Sequence, residues 1–222
     1  MAYKLIRSFH FNKTSIFQIE GLPVTCFMAG MAIDADGSPR AYHPNNTGLD
    51  DLKHSGYPGN WWGVATSNEL STGEPLVQNA DDPAPGFYVS TTSLIDNRYA
   101  YQNPLRYVNA EEMPYFVLPD QFSPAIQLGD IAWIHNTHNG LNSFAVFADV
   151  GPDVGEGSMC LAKKLGINND PRYGGVSSGI LYFIFEGSGR GNGQRVTESQ
   201  MSETGNKILN QLIVPELIGL FK

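Results

Sequence analysis

Residues 130–149 read DIAWIHNTHNGLNSFAVFAD. Two runs rich in β-branched and aromatic residues, Asp130–His135 and Ser143–Asp149, flank a polar stretch. Asn139-Gly140 within it is a strong turn signal, so the segment is expected to form a β-hairpin. Its second strand ends at Asp149, immediately before a Gly-Pro loop. Loops held by a rigid strand are common places for functional groups.

Working outward, the same composition recurs in FYVSTT (Phe87–Thr92), YFVL (Tyr115–Leu118) and GILYFIF (Gly179–Phe185). Each is expected to be a strand. Turn signals separate them throughout: DADGSP, HPNN, GYPGN, STGEP, DDPAPG and GSGRGNG. Two helices are expected. Ser158–Leu165 stops at Gly166, a suitable C-terminal residue. Glu198–Leu212 has Thr197 or Ser199 as a cap and Met201, Ile208 and Leu212 as one apolar stripe. Pro215 ends the second helix or separates it from a short terminal piece. The 222 residues contain no internal repeat or linker, so one mainly β domain over 1–222 is expected, a barrel with a few peripheral helices.

Composition agrees. Hydrophobic residues make up 41% and charged residues 16%, enough apolar material for a core. The 24 Gly and 14 Pro suit many turns between short strands better than a helical bundle. Fourteen Lys+Arg against 22 Asp+Glu leave a net charge of −8. That balance repels phosphate backbones and makes nucleic acid a poor partner. It attracts a cationic polymer, although plain solubility is the commoner meaning of an acidic surface. No window of about 18 apolar residues exists, so no membrane span is expected. The first residues, MAYKLIRSFHFNKTSIFQIEG, have no continuous apolar core and do not read as a signal peptide. Cys26 and Cys160 both lie in apolar surroundings, as free buried thiols or, in an exported protein, as one disulfide.

The chemistry concentrates in FAVFADVGPDVGEGSMCLA, residues 144–162. An apolar strand delivers Asp149, a Gly151-Pro152 turn follows, and Glu156 sits between two glycines just before a helix. Glycoside hydrolysis needs two carboxyl groups in different protonation states, one to protonate the leaving oxygen and one to activate water or attack the sugar. Burial at a strand end would raise the Asp149 pKa, and helix N–H groups would keep Glu156 ionised. On that logic Asp149 is the acid and Glu156 the base. The bland alternative is a turn cap and a first-turn helix acid.

Other side chains have double readings. Asp34 and Asp36 lie in IDADGSP, where Ser38 and Pro39 break a calcium-loop pattern; they cap a turn or bind the amino groups of a cationic sugar. Tyr42 and His43 either line a sugar cleft or pack before a Pro turn. Trp61 and Trp62 form a sugar platform, or core and rim. Asp130 is a turn cap or a third acid near the site. His135 and His138 fall around a hairpin turn without a third ligand, so no metal site is expected. GSGRGNG lacks the Lys-Ser/Thr pair of a phosphate loop, and no GxSxG elbow exists.

Several of these strings together resemble the family 75 glycoside hydrolases, the fungal-type chitosanases. FADVGP followed by GEGS is similar to that family's signature. IDADGSPRAYHPNNTGLDDL (Ile33–Leu52) is similar to a second family segment, and GFYVSTTSL, PYFVLP, LGDIA and GILYFIFEGSG follow in the family's order. The similarity covers about residues 30 to 190. It implies an inverting, endo-acting hydrolase of β-1,4 linkages in chitosan, with Asp149 and Glu156 as the catalytic pair. It also implies a six-stranded fold similar to the double-psi β-barrel of family 45 cellulases, and an extracellular location. Asp34, Asp36, Tyr42, His43 and Asp130 are then candidates for substrate binding. No cofactor or metal is implied, because acid–base hydrolysis needs two carboxyls and water. Nothing in the chain calls for a second copy, so a monomer is expected. A different reading is a non-hydrolytic or differently targeted cell-wall module on the same barrel.

Overall fold

A computed structural model describes residues 3–221. Ten strands and three α-helices follow one another along the chain. The strands are β1 (Leu5–Phe11), β2 (Thr14–Ile19), β3 (Val24–Asp34), β4 (Gly56–Tyr57), β5 (Asn60–Trp61), β6 (Tyr115–Pro119), β7 (Ile131–Asn136), β8 (Asn142–Gly151), β9 (Glu156–Ser158) and β10 (Val176–Phe185). The helices are α1 (Met159–Lys164), α2 (Glu198–Leu209) and α3 (Val214–Gly219). The hairpin expected at 130–149 is β7–β8, with Ile131 opposite Val146 and His135 opposite Asn142.

Strand order in the main sheet is β1-β2-β3-β10-β7-β8-β6-β9, and β9 pairs back onto β3. That last pairing closes β3, β10, β7, β8, β6 and β9 into a six-stranded barrel, leaving β1–β2 as a hairpin on its flank. Closure removes the exposed sheet edges that a flat arrangement of these strands would leave. Two of the pairings, β6–β8 and β3–β9, are parallel. The fold is therefore a single, mainly β domain around a closed barrel, as the turn-punctuated sequence implies.

Side-chain alternation divides the core into two apolar clusters. Met31, Ile33, Phe116, Ile134, Phe147 and Tyr182 point to one. Trp133, Val146, Ala148 and Phe183 point to the other, where α2 and α3 cover the sheet through Met201 and Leu217. Helix α2 opens with a capping box between Thr197 and Gln200. Its Gly205 lies against Phe144, where an added Cβ would stand 2.5 Å from the ring, so only glycine permits this approach. Pro215 does not end a helix; it sits in the first turn of α3, where its missing N–H costs nothing.

One expected strand is absent. Phe87–Thr92 is not a strand. Its N–H groups go to separate loops, Tyr88 to the Tyr42 carbonyl, Val89 to Leu76 and Thr91 to Gly63, with only isolated bridges. Conversely, the chain before residue 35 supplies three strands, and β3 is the hub of the barrel. Cys26 and Cys160 are both free thiols, the first buried in β3 and the second half-buried in α1. No described helix is long and apolar enough to cross a membrane.

Ser158 ties the barrel to α1. Its fully buried hydroxyl accepts from Tyr115 N at 3.0 Å and Leu161 N at 3.1 Å, and donates to Met113 O at 2.8 Å. Ser158→Ala removes a helix cap and orphans a buried strand N–H. A loss of about 2–4 kcal/mol in chemical denaturation is expected, with the slope unchanged.

Candidate active site

The cleft floor is a row of side chains across four strands. Asp149 on β8 and Glu156 on β9 are both register partners of Val117 on β6, one on each side. Glu156 is in turn the partner of Ala32 on β3. Directly paired residues face the same side of a sheet, so Asp149, Val117, Glu156 and Ala32 share one face. Asp34 lies two residues beyond Ala32 and points the same way. Adjacent strands stand about 4.8 Å apart, which sets the Asp149 and Glu156 backbones roughly 9.5 Å from each other.

A β-bulge is what aims Asp149. Phe116 pairs with Phe147 but Val117 pairs with Asp149, so Ala148 is an extra residue in β8. Simple alternation from Phe147, a core residue, would turn Asp149 into the core as well. The bulge returns it to the cleft face, a recurrent use of bulges beside functional sites. Two residues on, Gly151 leaves room for Glu156 to lean across: an added Cβ would lie 2.8 Å from Val117 Cγ1 and 3.1 Å from Glu156 Oε2.

The cleft has a volume of about 340 Å³. Its walls come from loops: Asp36, Tyr42, Asp50, His54 and Trp62 on one side, Pro152, Pro171 and Gly174 on the other. Arg172 fastens these walls together by donating to the carbonyls of Asn46, Gly48 and Asp50 at 3.0–3.1 Å. Asp50 is buried and receives His54 Nδ1 at 2.9 Å on both oxygens, which orients the ring at the cleft edge. His54 is the only basic side chain among the described residues lining the cleft, against five carboxylic acids.

That crowding governs the electrostatics. Burial, then the negative charge of Glu156 and Asp149, pushes Asp34 well above the usual carboxylate range. Burial and the Asp34 and Asp149 charges do the same to Asp36, with the Tyr42 hydroxyl opposing. Asp34, Asp36 and Asp149 each present an oxygen within 4.8 Å of the others. Asp149 is raised by burial to about 6, held down by hydrogen bonds from Ser93 and Val150. Its Oδ1 accepts from Ser93 N at 2.9 Å, Ser93 Oγ at 2.7 Å and Val150 N at 2.8 Å. Glu156 is raised by burial and by the Asp149 and Asp50 charges to about 7, with the His54 ring opposing.

The helix-terminus premise for Glu156 does not hold. Glu156 does not stand at a helix N-terminus; it begins β9, and Ser158 is the cap of α1. Asp149 carries three stabilising donors, whereas no hydrogen bond offsets the burial of Glu156. Burial raises both carboxyls, and hydrogen bonds oppose the rise only at Asp149.

The remaining expectations sort by position. Asp34, Asp36 and Tyr42 line the cleft with the catalytic candidates. His43 does not; it is half-buried against Phe87, ring centroids 4.8 Å apart, and its Nδ1 accepts from Asn45 N. Asp130 does not either. It is fully buried as a cap, accepting from the N–H groups of Gln127, Gly187 and Gly189. Trp61 is core and Trp62 is rim, 7% and 56% exposed. His138 bonds to the Ser178 carbonyl and His135 stacks on Trp133, away from the cleft. Sequence reasoning missed Asp50, His54 and Ser93. The (i, i+4) spacing of Asp50 and His54 was the available signal; Ser93 reaches Asp149 from 56 residues away and left none. No protein-family model matches the chain, and no curated protein matches it.

Proposed function

We propose that the chain is an endo-acting glycoside hydrolase that cleaves β-1,4 linkages of chitosan with inversion at the anomeric carbon. The observation that carries this reading is the pair Asp149 and Glu156, flanking Val117 on one face of a cleft. Their backbones stand two strands apart, roughly 9.5 Å; inversion calls for a water to fit between the two carboxyls beside the sugar linkage. Glu156, protonated up to about pH 7, gives its proton to the departing glycosidic oxygen. Asp149, ionised above about pH 6, takes a proton from the attacking water. The Ser93 and Val150 donors hold Asp149 in the ionised form and in one orientation.

The acid excess points to a cationic substrate. Asp34 and Asp36 resist ionisation because they are buried among negative neighbours. A glucosamine ammonium entering the cleft supplies the missing positive charge, lets them ionise and gains charge-assisted hydrogen bonds. A neutral β-glucan offers no such compensation. The proposed reaction calls for no cofactor, and a polymer of this kind implies an extracellular setting. A non-hydrolytic cell-wall module needs no second acid, and retention of both favours hydrolysis.

Reducing-end release from soluble chitosan, carboxymethyl-cellulose and peptidoglycan, measured in parallel, tests the proposal. Rapid release from chitosan alone is expected. Release only from another polymer, or none from any, overturns it.

A further inference from the structure

The cleft does not end at Trp62. That residue also lines a second chamber, of about 360 Å³. Trp62 Nε1 donates to the His54 carbonyl at 2.8 Å, so the indole is pinned at the boundary. The segment that holds Asp149 through Ser93 supplies Thr91 and Ile95 to the second chamber.

The two chambers differ in charge. Five carboxyl groups and one His line the first. The second is lined by aromatic and aliphatic groups, among them Trp61, Trp62, Tyr101 and Leu70, with one acid, Glu69, and one base, Arg106. Arg106 spends its guanidinium on neutral acceptors, the Tyr99 carbonyl at 2.6 Å and Asn97 Oδ1 at 3.4 Å. Neither Arg106 nor Glu69 has an ion-pair partner among the described residues. An ammonium there would face a fixed cation and little carboxylate. A neutral pyranose ring would stack on the aromatic edge and set an apolar methyl against Leu70, which is 63% exposed.

We infer that the chamber beyond Trp62 is a distal subsite for an N-acetylated, uncharged sugar unit of the same polymer whose deacetylated units occupy the acidic cleft. This rests on the proposed chitosanase reading and deepens it. Glucosamine units are selected by carboxylates near the cut, and an acetylated unit is accepted further along the chain.

The test uses calorimetric titration of the Glu156→Gln protein with the tetramer of N-acetylglucosamine and, separately, with the tetramer of glucosamine. Leu70→Asp and Leu70→Ala are added in turn; the side chain is exposed, and matching thermal unfolding checks that the fold is kept. The acetylated tetramer is expected to bind, and to weaken about tenfold with Leu70→Asp and less with Leu70→Ala. Glucosamine tetramer binding is expected to stay unchanged or to tighten. Absence of acetylated-tetramer binding, its indifference to both Leu70 variants, or equal weakening of both ligands overturns the inference. Failure of the wild-type chain to cut chitosan, with acetylated-tetramer binding still sensitive to Leu70, would overturn the hydrolase reading and leave the chamber standing.

Discussion

Glu156→Gln and Asp149→Asn are each expected to lower the rate of chitosan cleavage by about 10³-fold or more, with little change in substrate affinity. Glu156→Gln leaves the leaving oxygen without a proton donor. Asp149→Asn leaves the water without a base, although the amide oxygen introduced there can still accept from Ser93. The two losses should not add, because each carboxyl is useless without the other. In the wild type the dependence on pH follows from the same pair. Activity is expected to rise through about pH 6 as Asp149 ionises and to fall through about pH 7 as Glu156 loses its proton. Initial rates on soluble chitosan across pH 4.5–8.5 check it, the range being set by roughly one and a half units either side of those values. A flat profile, or a variant with near-normal turnover, contradicts the assignment.

The same burial should make the enzyme less stable as it becomes alkaline. Glu156 rises from an ordinary value of 4.5 to about 7, and Asp149 from 3.8 to about 6. A raised carboxyl pKa means that the folded state binds the proton more tightly than the unfolded chain does. The stability it contributes is present below the ordinary value and is lost as pH climbs through the folded one. The window therefore runs from about pH 4 to about pH 7. Each group accounts for about 3 kcal/mol across it. Asp149 is buried and Glu156 half-buried in the cleft, so solvent screening reduces the Glu156 share. Glu156→Gln abolishes one titration. The variant should match the wild type near pH 4.5 and melt roughly 6 °C or more above it at pH 8. Equal melting temperatures at pH 8 would show that Glu156 is not held in a costly charged state. Functional sites commonly sacrifice stability in this manner.

Much of the barrel is legible in the chain because four of its strands carry dense β-branched and aromatic runs bounded by turn residues. YFVL, DIAWIH, SFAVFAD and GILYFIF all become strands within a few residues of their expected limits. VTCFMAGMAID, the hub strand, does not announce itself, because Cys, Met, Ala and Gly have weak strand preference and no clean alternation. FYVSTT has the right composition but no sheet to join; its partners are three loops, a tertiary fact that local propensity does not contain. The site divides similarly. Asp149 and Glu156 are visible from their loop and spacing. Their common orientation depends on the Ala148 bulge and on Val117, which come from strand pairing across 32 and 39 residues. The donors that hold Asp149 are hidden as well, because Ser93 arrives from a distant segment. His43 and Asp130 carry sugar-binding chemistry in principle, yet Phe87 and the 187–189 turn consume their polar and aromatic faces.

The proposed mechanism holds a water between two carboxyl groups, so the configuration of the first product is the sharpest probe. Proton NMR of the wild-type enzyme acting on a glucosamine hexamer, recorded before mutarotation, reads the anomer directly. New α-configured reducing ends should appear first and relax toward the equilibrium mixture. New β reducing ends appearing first, or none at all, would contradict the account.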